Sequence, residues 1–251
     1  MKVNIEQTKN NLIEWIKDWF LANGNSETIA IVGISGGKDS TICAALLKEA
    51  LGKDRVLGVL MPNGIQADIA DSEELVEFLG IKHVTININE AYLGLTNEIC
   101  KKLNQNELTA QYKTNTPARL RMTTLYSVGA MNGNARICNT GNLSEAYIGY
   151  TTLYGDFAGD FSLLSKLTKS EVVEIGLALG LPEHLVKKAP GDGMSGRTDE
   201  DNIGFSYAEL DDYIRNGIKG PNYDIINKRI LAQSFKRRIL NIPAFSNIKE
   251  A

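Results

Sequence analysis

Histidine is almost absent from this chain. Among 251 residues only His83 and His184 carry an imidazole, which leaves a histidine-dependent hydrolase two candidate bases. Cysteine is scarce as well. Cys43, Cys100 and Cys138 are odd in number and show no Cys-x-x-Cys spacing, which argues against a disulfide framework and against a zinc site. They are expected as buried thiols in a reducing compartment. No run approaches the roughly 20 apolar residues of a membrane span, and the opening Met1-Lys2-Val3-Asn4-Ile5-Glu6 lacks the apolar core of a signal peptide. The expectation is a cytoplasmic protein with no membrane partner. A net charge of −3 and a pI near 5.6 provide no general basic field, so nucleic acid is not an expected partner. Internal repeats and low-complexity segments are missing too. At this length, with 43% hydrophobic residues, the chain can bury a full core, and residues 1–251 are expected to form a single domain.

What is present concentrates near residue 35. Thr28 to Ile34 read as a buried strand that runs into Ser35-Gly36-Gly37-Lys38-Asp39-Ser40 and then into an apolar helix. A helix N-terminus carries roughly half a positive charge and open backbone N–H groups, so this turn suits a polyphosphate. Gly36 and Gly37 remove the side chains that would block a close anion. Three motifs compete for these residues. Gly33-Ile34-Ser35-Gly36-Gly37 fits the G-x-S-x-G nucleophile elbow, but His83 opens an apolar strand-like run and His184 sits in a Leu-Pro-Glu-His-Leu turn. Neither is placed as a base. A Walker A loop requires Gly-Lys followed directly by Ser or Thr, and Asp39 intervenes. The segment closely resembles the Ser-Gly-Gly-x-Asp-Ser loop of the ATP pyrophosphatase superfamily, in which the loop binds pyrophosphate and the Asp helps to hold Mg²⁺.

The rest of the chain alternates. Leu12, Ile13, Trp15, Ile16, Trp19 and Phe20 recur at helical spacing and predict an opening helix that stops near Gly24. After the helix from about Lys38 to Leu51, Val56 to Met61 read as a second strand. A helix over about 67–79 precedes a third strand at 82–88, and a fourth strand is expected at 136–139. Such alternation predicts an α/β, Rossmann-like, doubly wound parallel sheet with helices on both faces and a ligand at the carboxyl ends of the strands. The stretch from Lys188 to Asn202, rich in Gly, Asp and Ser, reads as a surface loop and a candidate lid.

Charges stand where helices disfavour them. Thr116-Pro117 reads as an N-cap with proline at the first helical position, which would put Arg119 in the first turn. Thr168-Lys169-Ser170-Glu171 reads as a capping box whose first helical residue is Lys169. A cation at either place opposes the macrodipole, and an incoming anion relieves the conflict. Glu145 follows the fourth strand, and Asp156 and Asp160 flank a turn, which makes these acids candidates to converge with Asp39, although Asp156 taken alone reads as a solvated turn residue. Oxygen ligands in small number suit Mg²⁺.

Taken in order, Ser35 to Ser40, Met61-Pro62-Asn63-Gly64 with Gln66, Asp68 and Asp71, Pro117 to Met122, Thr140 to Glu145, Tyr154-Gly155-Asp156, Lys169, Thr198-Asp199-Glu200 and Ser206 to Asp211 make the chain resemble the ammonia-dependent NAD⁺ synthetases. The resemblance covers nearly the whole chain. Glutamine-dependent relatives carry an added N-terminal amidase domain, and the first strand here begins too early to leave room for one. The resemblance implies that ATP lies on Gly33, Ile34, Ser35, Gly36, Gly37, Lys38, Asp39 and Ser40, with Thr140 and Lys169 also in contact. It implies Mg²⁺ on Asp39 and Glu145, and deamido-NAD⁺ on Arg119, Asp160, Phe235 and Lys236. It further implies a homodimer. The implied reaction is the amidation of deamido-NAD⁺ by ammonia through an acyl-adenylate, with release of AMP and pyrophosphate. Lys38, Asp39 and Lys169 would carry the electrostatics, and Asp160 is the candidate base for ammonium. Leu153 stands where the family often has Lys, and Gly191 where it often has Ser or Thr. The alternatives are another adenylating synthetase of the superfamily, acting on a nucleotide or a tRNA base, and a nucleotide-binding protein without turnover.

Overall fold

Glycine, asparagine and threonine punctuate the apolar segments, and the elements follow that punctuation. A computed structural model describes residues 3–65, 69–188 and 198–239. Helix α1 (Ile5–Ala22) is capped by the Asn4 side chain and buries Leu12, Ile16 and Phe20, one per turn. Strand β1 (Ile29–Ile34) leads to α2 (Lys38–Leu51), a short 3₁₀ turn and β2 (Val56–Leu60). Then come α3 (Ile69–Leu79), β3 (Lys82–Thr85), α4 (Asn89–Leu103), α5 (Ala110–Asn132) and β4 (Ala135–Asn139). The remainder comprises α6 (Leu143–Ile148), β5 (Phe161–Ser162), α7 (Lys169–Ala178), α8 (Glu183–Lys187), α9 (Asp199–Ile203), α10 (Tyr207–Asn216), α11 (Tyr223–Ala232) and α12 (Ser234–Ile239).

The five strands form one parallel sheet in the order β3-β2-β1-β4-β5. The chain leaves β1 in one direction to build β2 and β3 and returns to its other side for β4. This reversal makes a switch point beside β1, where the loops after β1 and β4 part at the carboxyl edge of the sheet. The expected doubly wound architecture is therefore present. Alternation along β1 feeds two cores. Ala30, Val32 and Ile34 pack with α1, α2 and α7 through Phe20, Ile42, Leu46 and Val172, whereas Ile31 packs with Val59, Ile137, Met122 and Leu125 on the α5 side. A third, smaller core joins Ile148, Phe205, Tyr207, Leu210 and Ile226 under the C-terminal helices.

Three local expectations change. Strand β3 ends at Thr85 rather than residue 88, and all four of its residues are exposed at the sheet edge. Beyond it Ile86 N and Ile88 N still donate to Leu60 O and Pro62 O as the chain bends away. Thr116-Pro117 does not start a helix. Helix α5 begins at Ala110, capped by Thr109, whose hydroxyl accepts from Tyr112 N at 3.1 Å, and Pro117 lies buried inside it. An interior proline forfeits one backbone donor, and the packing of Met122 and Leu125 against the sheet carries the helix through. Arg119 is thus mid-helix and meets no open N-terminus, so the macrodipole argument fails for it. The third change concerns the acids. Asp160 is drawn to the sheet rather than to Asp39: its Oδ2 accepts from Ile137 N at 2.8 Å, and its Oδ1 from Tyr126 OH at 3.1 Å. Gln66, Asp68, Gly191 and most of the candidate lid lie outside the described residues.

Candidate active site

The turn after β1 is shaped by its hydroxyls. Gly36 adopts φ +73°, a left-handed conformation that favours glycine. Ser40 Oγ and Thr41 Oγ1 each donate to Gly37 O at 3.0 Å, and Gly37 N donates to Ser35 Oγ at 3.3 Å. No side chain caps α2 at Gly37, so the positive end of this 14-residue helix is available to an anion.

Four charged groups meet beside that end. Lys38 and Asp39 open α2. Asn142, which is fully buried, caps α6 by accepting Glu145 N at 3.0 Å and donates to Asp39 Oδ1 at 3.0 Å. One asparagine thereby places Glu145 and orients Asp39. The expected capping box of α7 is present, with Thr168 and Glu171 exchanging hydrogen bonds, and it sets Lys169 as the first helical residue. Lys169 Nζ then lies 2.8 Å from Asp39 Oδ2 and 2.6 Å from Glu145 Oε1.

The electrostatics are those of a tight mixed cluster. Burial pushes the Glu145 carboxyl up to about 7, with Lys169 pulling against it and Asp39 reinforcing it. Burial works against the charge on Lys169, yet Asp39 and Glu145 outweigh it and hold that ammonium above its ordinary range. Lys38, 8% exposed, is lowered by burial and by the nearby Lys169. A buried ammonium of this kind gains from an incoming anion.

The cluster forms one wall of a cleft of about 880 Å³. Ser35, Gly36, Gly37, Lys38, Asp39, Glu145 and Lys169 line it, together with Asp156, Asp199 and Lys236 and, unforeseen from the sequence, Asn115, Tyr150 and Arg229. Lys236 Nζ donates to Gly149 O at 2.7 Å and to Thr151 O at 2.6 Å, which ties α12 to the loop after α6. Gly33, Ile34, Ser40, Thr140, Arg119, Asp160 and Phe235 do not line this cleft. Asp160 belongs instead with Tyr126, which lines a shallower groove with Met122, Tyr154 and Ala158. Arg119 Nε donates to Leu153 O at 3.1 Å. Asn142 belongs to the Thr140 to Glu145 motif, and its capping role, which the sequence reading did not assign, had a local signal in an Asn three residues before a Glu at a helix start.

A parallel sheet, a glycine turn at its switch point and lysines set against carboxylates over the next helix together define a doubly wound nucleotide-binding protein. Comparison with known proteins narrows the class. The chain belongs to the NAD synthase family, whose model matches residues 8–250. The NH(3)-dependent NAD(+) synthetase of Carboxydothermus hydrogenoformans is 35% identical, over 97% of this chain and 99% of the relative. That of Finegoldia magna is 36% identical, over 94% and 95%. Among solved structures, NMN synthetase from Francisella tularensis is 32% identical, with a TM-score of 0.84 over 96% of this chain and 99% of that one.

Proposed function

We propose that the protein is a ligase that uses ATP and ammonia to amidate deamido-NAD⁺ to NAD⁺, releasing AMP and pyrophosphate. The observation that carries this reading is the meeting of Lys38, Asp39, Glu145 and Lys169 at the open N-terminus of α2. Family membership specifies the reaction class. Charge develops on the leaving pyrophosphate when the nicotinate carboxylate attacks the α-phosphorus. In this reading Lys38, Lys169 and the first-turn N–H groups of α2 stabilise that charge, and their fixed positions at the helix start mean that little reorganisation is needed as it forms. No protein nucleophile is required, since the attacking group belongs to the acceptor.

Asp39 and Glu145 would hold Mg²⁺. Both supply oxygen, and both already share one cation in Lys169. Two carboxylates supply few protein ligands, a set that suits an ion that keeps waters and binds substrate phosphates. When bound it would neutralise charge on the polyphosphate. Arg119, Thr140, Asp160, Phe235 and Lys236 are proposed to serve substrate recognition, Arg119 and Asp160 from the side of the shallower groove. We place the protein in the cytoplasm as a single catalytic domain. Among the described residues no helix is long and apolar enough to cross a membrane, and Cys43 and Cys138 are buried free thiols.

Incubation with ATP, Mg²⁺, ammonium and deamido-NAD⁺ is expected to yield NAD⁺, AMP and pyrophosphate in equal amounts, with glutamine failing to replace ammonium. Orthophosphate and ADP as products would reject the reading. Similarity to an NMN synthetase supports a second one, in which the acceptor is the deamidated mononucleotide. Equal concentrations of the two acceptors in competition decide between them through kcat/KM. A homodimer is also proposed, because Tyr126 and Met131 on α5 and Tyr154 beside it leave apolar surface exposed. Sedimentation as a dimer at assay concentration is expected; a monomer that turns over at full rate would refute it.

A further inference from the structure

Helix α10 carries Tyr207, Asp211 and Arg215 at intervals of four, so their side chains share one face. All three meet the start of α7. The Tyr207 ring lies 5.2 Å from Lys169 Nζ, a cation–π contact. Arg215 grips both oxygens of Glu171 at 2.6 Å each, and Glu171 closes the capping box that sets Lys169 as the first helical residue.

Between them stands Asp211, only 6% exposed. Its Oδ1 accepts from Ser144 Oγ at 2.5 Å, and its Oδ2 from Ser170 N at 2.8 Å and Ser170 Oγ at 2.6 Å. Ser144 Oγ in turn accepts from Lys169 N at 3.0 Å. Ser144 immediately precedes Glu145, and Ser170 immediately follows Lys169. One carboxylate therefore references both residues that face Asp39, from two different helices.

We propose that Asp211 is a positioning residue for the ATP side of the reaction, holding Glu145 and Lys169 in register at Asp39 through Ser144 and Ser170. This rests on the function proposed above. A buried carboxylate is costly unless its oxygens are matched by donors, and here three donors from α6 and α7 converge on it. Its charge also suits the N-terminus of the 10-residue α7. No substrate need touch it for it to act, because the ion-pair geometry at Asp39 depends on where the α6 and α7 backbones sit.

Asp211→Asn keeps the size but removes the charge and replaces one acceptor oxygen by a donor, so the tie to Ser144 Oγ must reverse its direction or break. Ser144→Ala removes the tie from α6 to Asp211 Oδ1 together with the relay to Lys169 N, and leaves both Ser170 bonds in place. Binding of a non-hydrolysable ATP analogue with Mg²⁺ is measured by calorimetry, alongside KM for ATP and for deamido-NAD⁺ and the thermal midpoint. In Asp211→Asn, nucleotide binding is expected to weaken by about 10- to 100-fold, the usual consequence of losing an outer support of charged ligands. KM for ATP should rise with it while KM for deamido-NAD⁺ stays within about twofold. Ser144→Ala should move the same quantities in the same direction by less. A folded variant that loses thermal stability yet binds the nucleotide as wild type does would overturn the proposal, and if Asp211→Asn cannot be obtained folded, Ser144→Ala decides by that criterion. Should the wild-type protein make no NAD⁺, the functional reading fails while the calorimetric comparison still decides on Asp211.

Discussion

Replacing Lys169 with methionine is expected to lower kcat by about 10²- to 10³-fold, the cost of removing one preorganised group that stabilises developing charge. The same change should destabilise the fold. Lys169 is the cation between Asp39 and Glu145, whose side chains are 18% and 16% exposed, and removing one member of a buried ion cluster costs about 3–5 kcal/mol. Protonation of Glu145, already pushed up to about 7 by burial, offsets part of that loss. The sign of the pH effect follows. A carboxyl raised above its unfolded value binds its proton more tightly in the folded state, so that contribution fades as pH rises through the raised value. The stability deficit of the variant, measured by urea unfolding, should therefore be larger at about pH 8 than at about pH 6. A deficit independent of pH would mean that Glu145 does not take up the proton.

Asp39→Asn is expected to behave differently. Asparagine can still meet Asn142 and leaves Lys169 paired with Glu145 at 2.6 Å, so the unfolding midpoint should move little. Activity should fall by at least about a hundredfold in kcat/KM, or about 2.7 kcal/mol of transition-state stabilisation. The missing charge weakens both the proposed Mg²⁺ site and the orientation of Lys169. Rate measured against Mg²⁺ concentration tests this: the half-saturating concentration should rise, and an unshifted curve at full rate would remove Asp39 from the metal site. The two variants thus separate stability from catalysis within a single ion-pair cluster.

Much of this arrangement was legible in the sequence, for a physical reason. Strands β1 and β2 are short apolar runs closed by Gly or Pro, and α1, α2 and α7 bury a clear stripe or carry a cap. Helix α4 buries only Thr96, and α5 only Pro117, Met122 and Leu125, so neither shows a full apolar face to a reader of the chain. A proline that usually marks a beginning then misplaced the start of α5. At the site, Lys38, Asp39, Glu145 and Lys169 could be named because each sits at a strand end or helix start. Asp156 and Asp160 could not be sorted in that way. Only the pairing of β4 with β5 shows that Asp160 reaches Ile137 N, while Asp156 accepts from Thr152 N at 2.6 Å and faces the cleft. Arg229, Asn115 and Tyr150 arrive from helices or loops that carry no local motif.

The bond from Lys169 to Asp39 spans 130 positions, and that from Asn142 to Asp39 spans 103. Contacts so distant in sequence are closed late, after the entropy of joining the intervening chain has been met. The turn after β1 is local and can form early, but the charge balance around it cannot. A growing or partly unfolded chain would hold Asp39 without its counter-ion and bind nucleotide poorly. Nucleotide affinity in this protein is therefore a reporter of global assembly: ligand that binds only the finished sheet shifts the whole unfolding equilibrium, and loss of binding and loss of β1–β4 pairing should occur in one cooperative step.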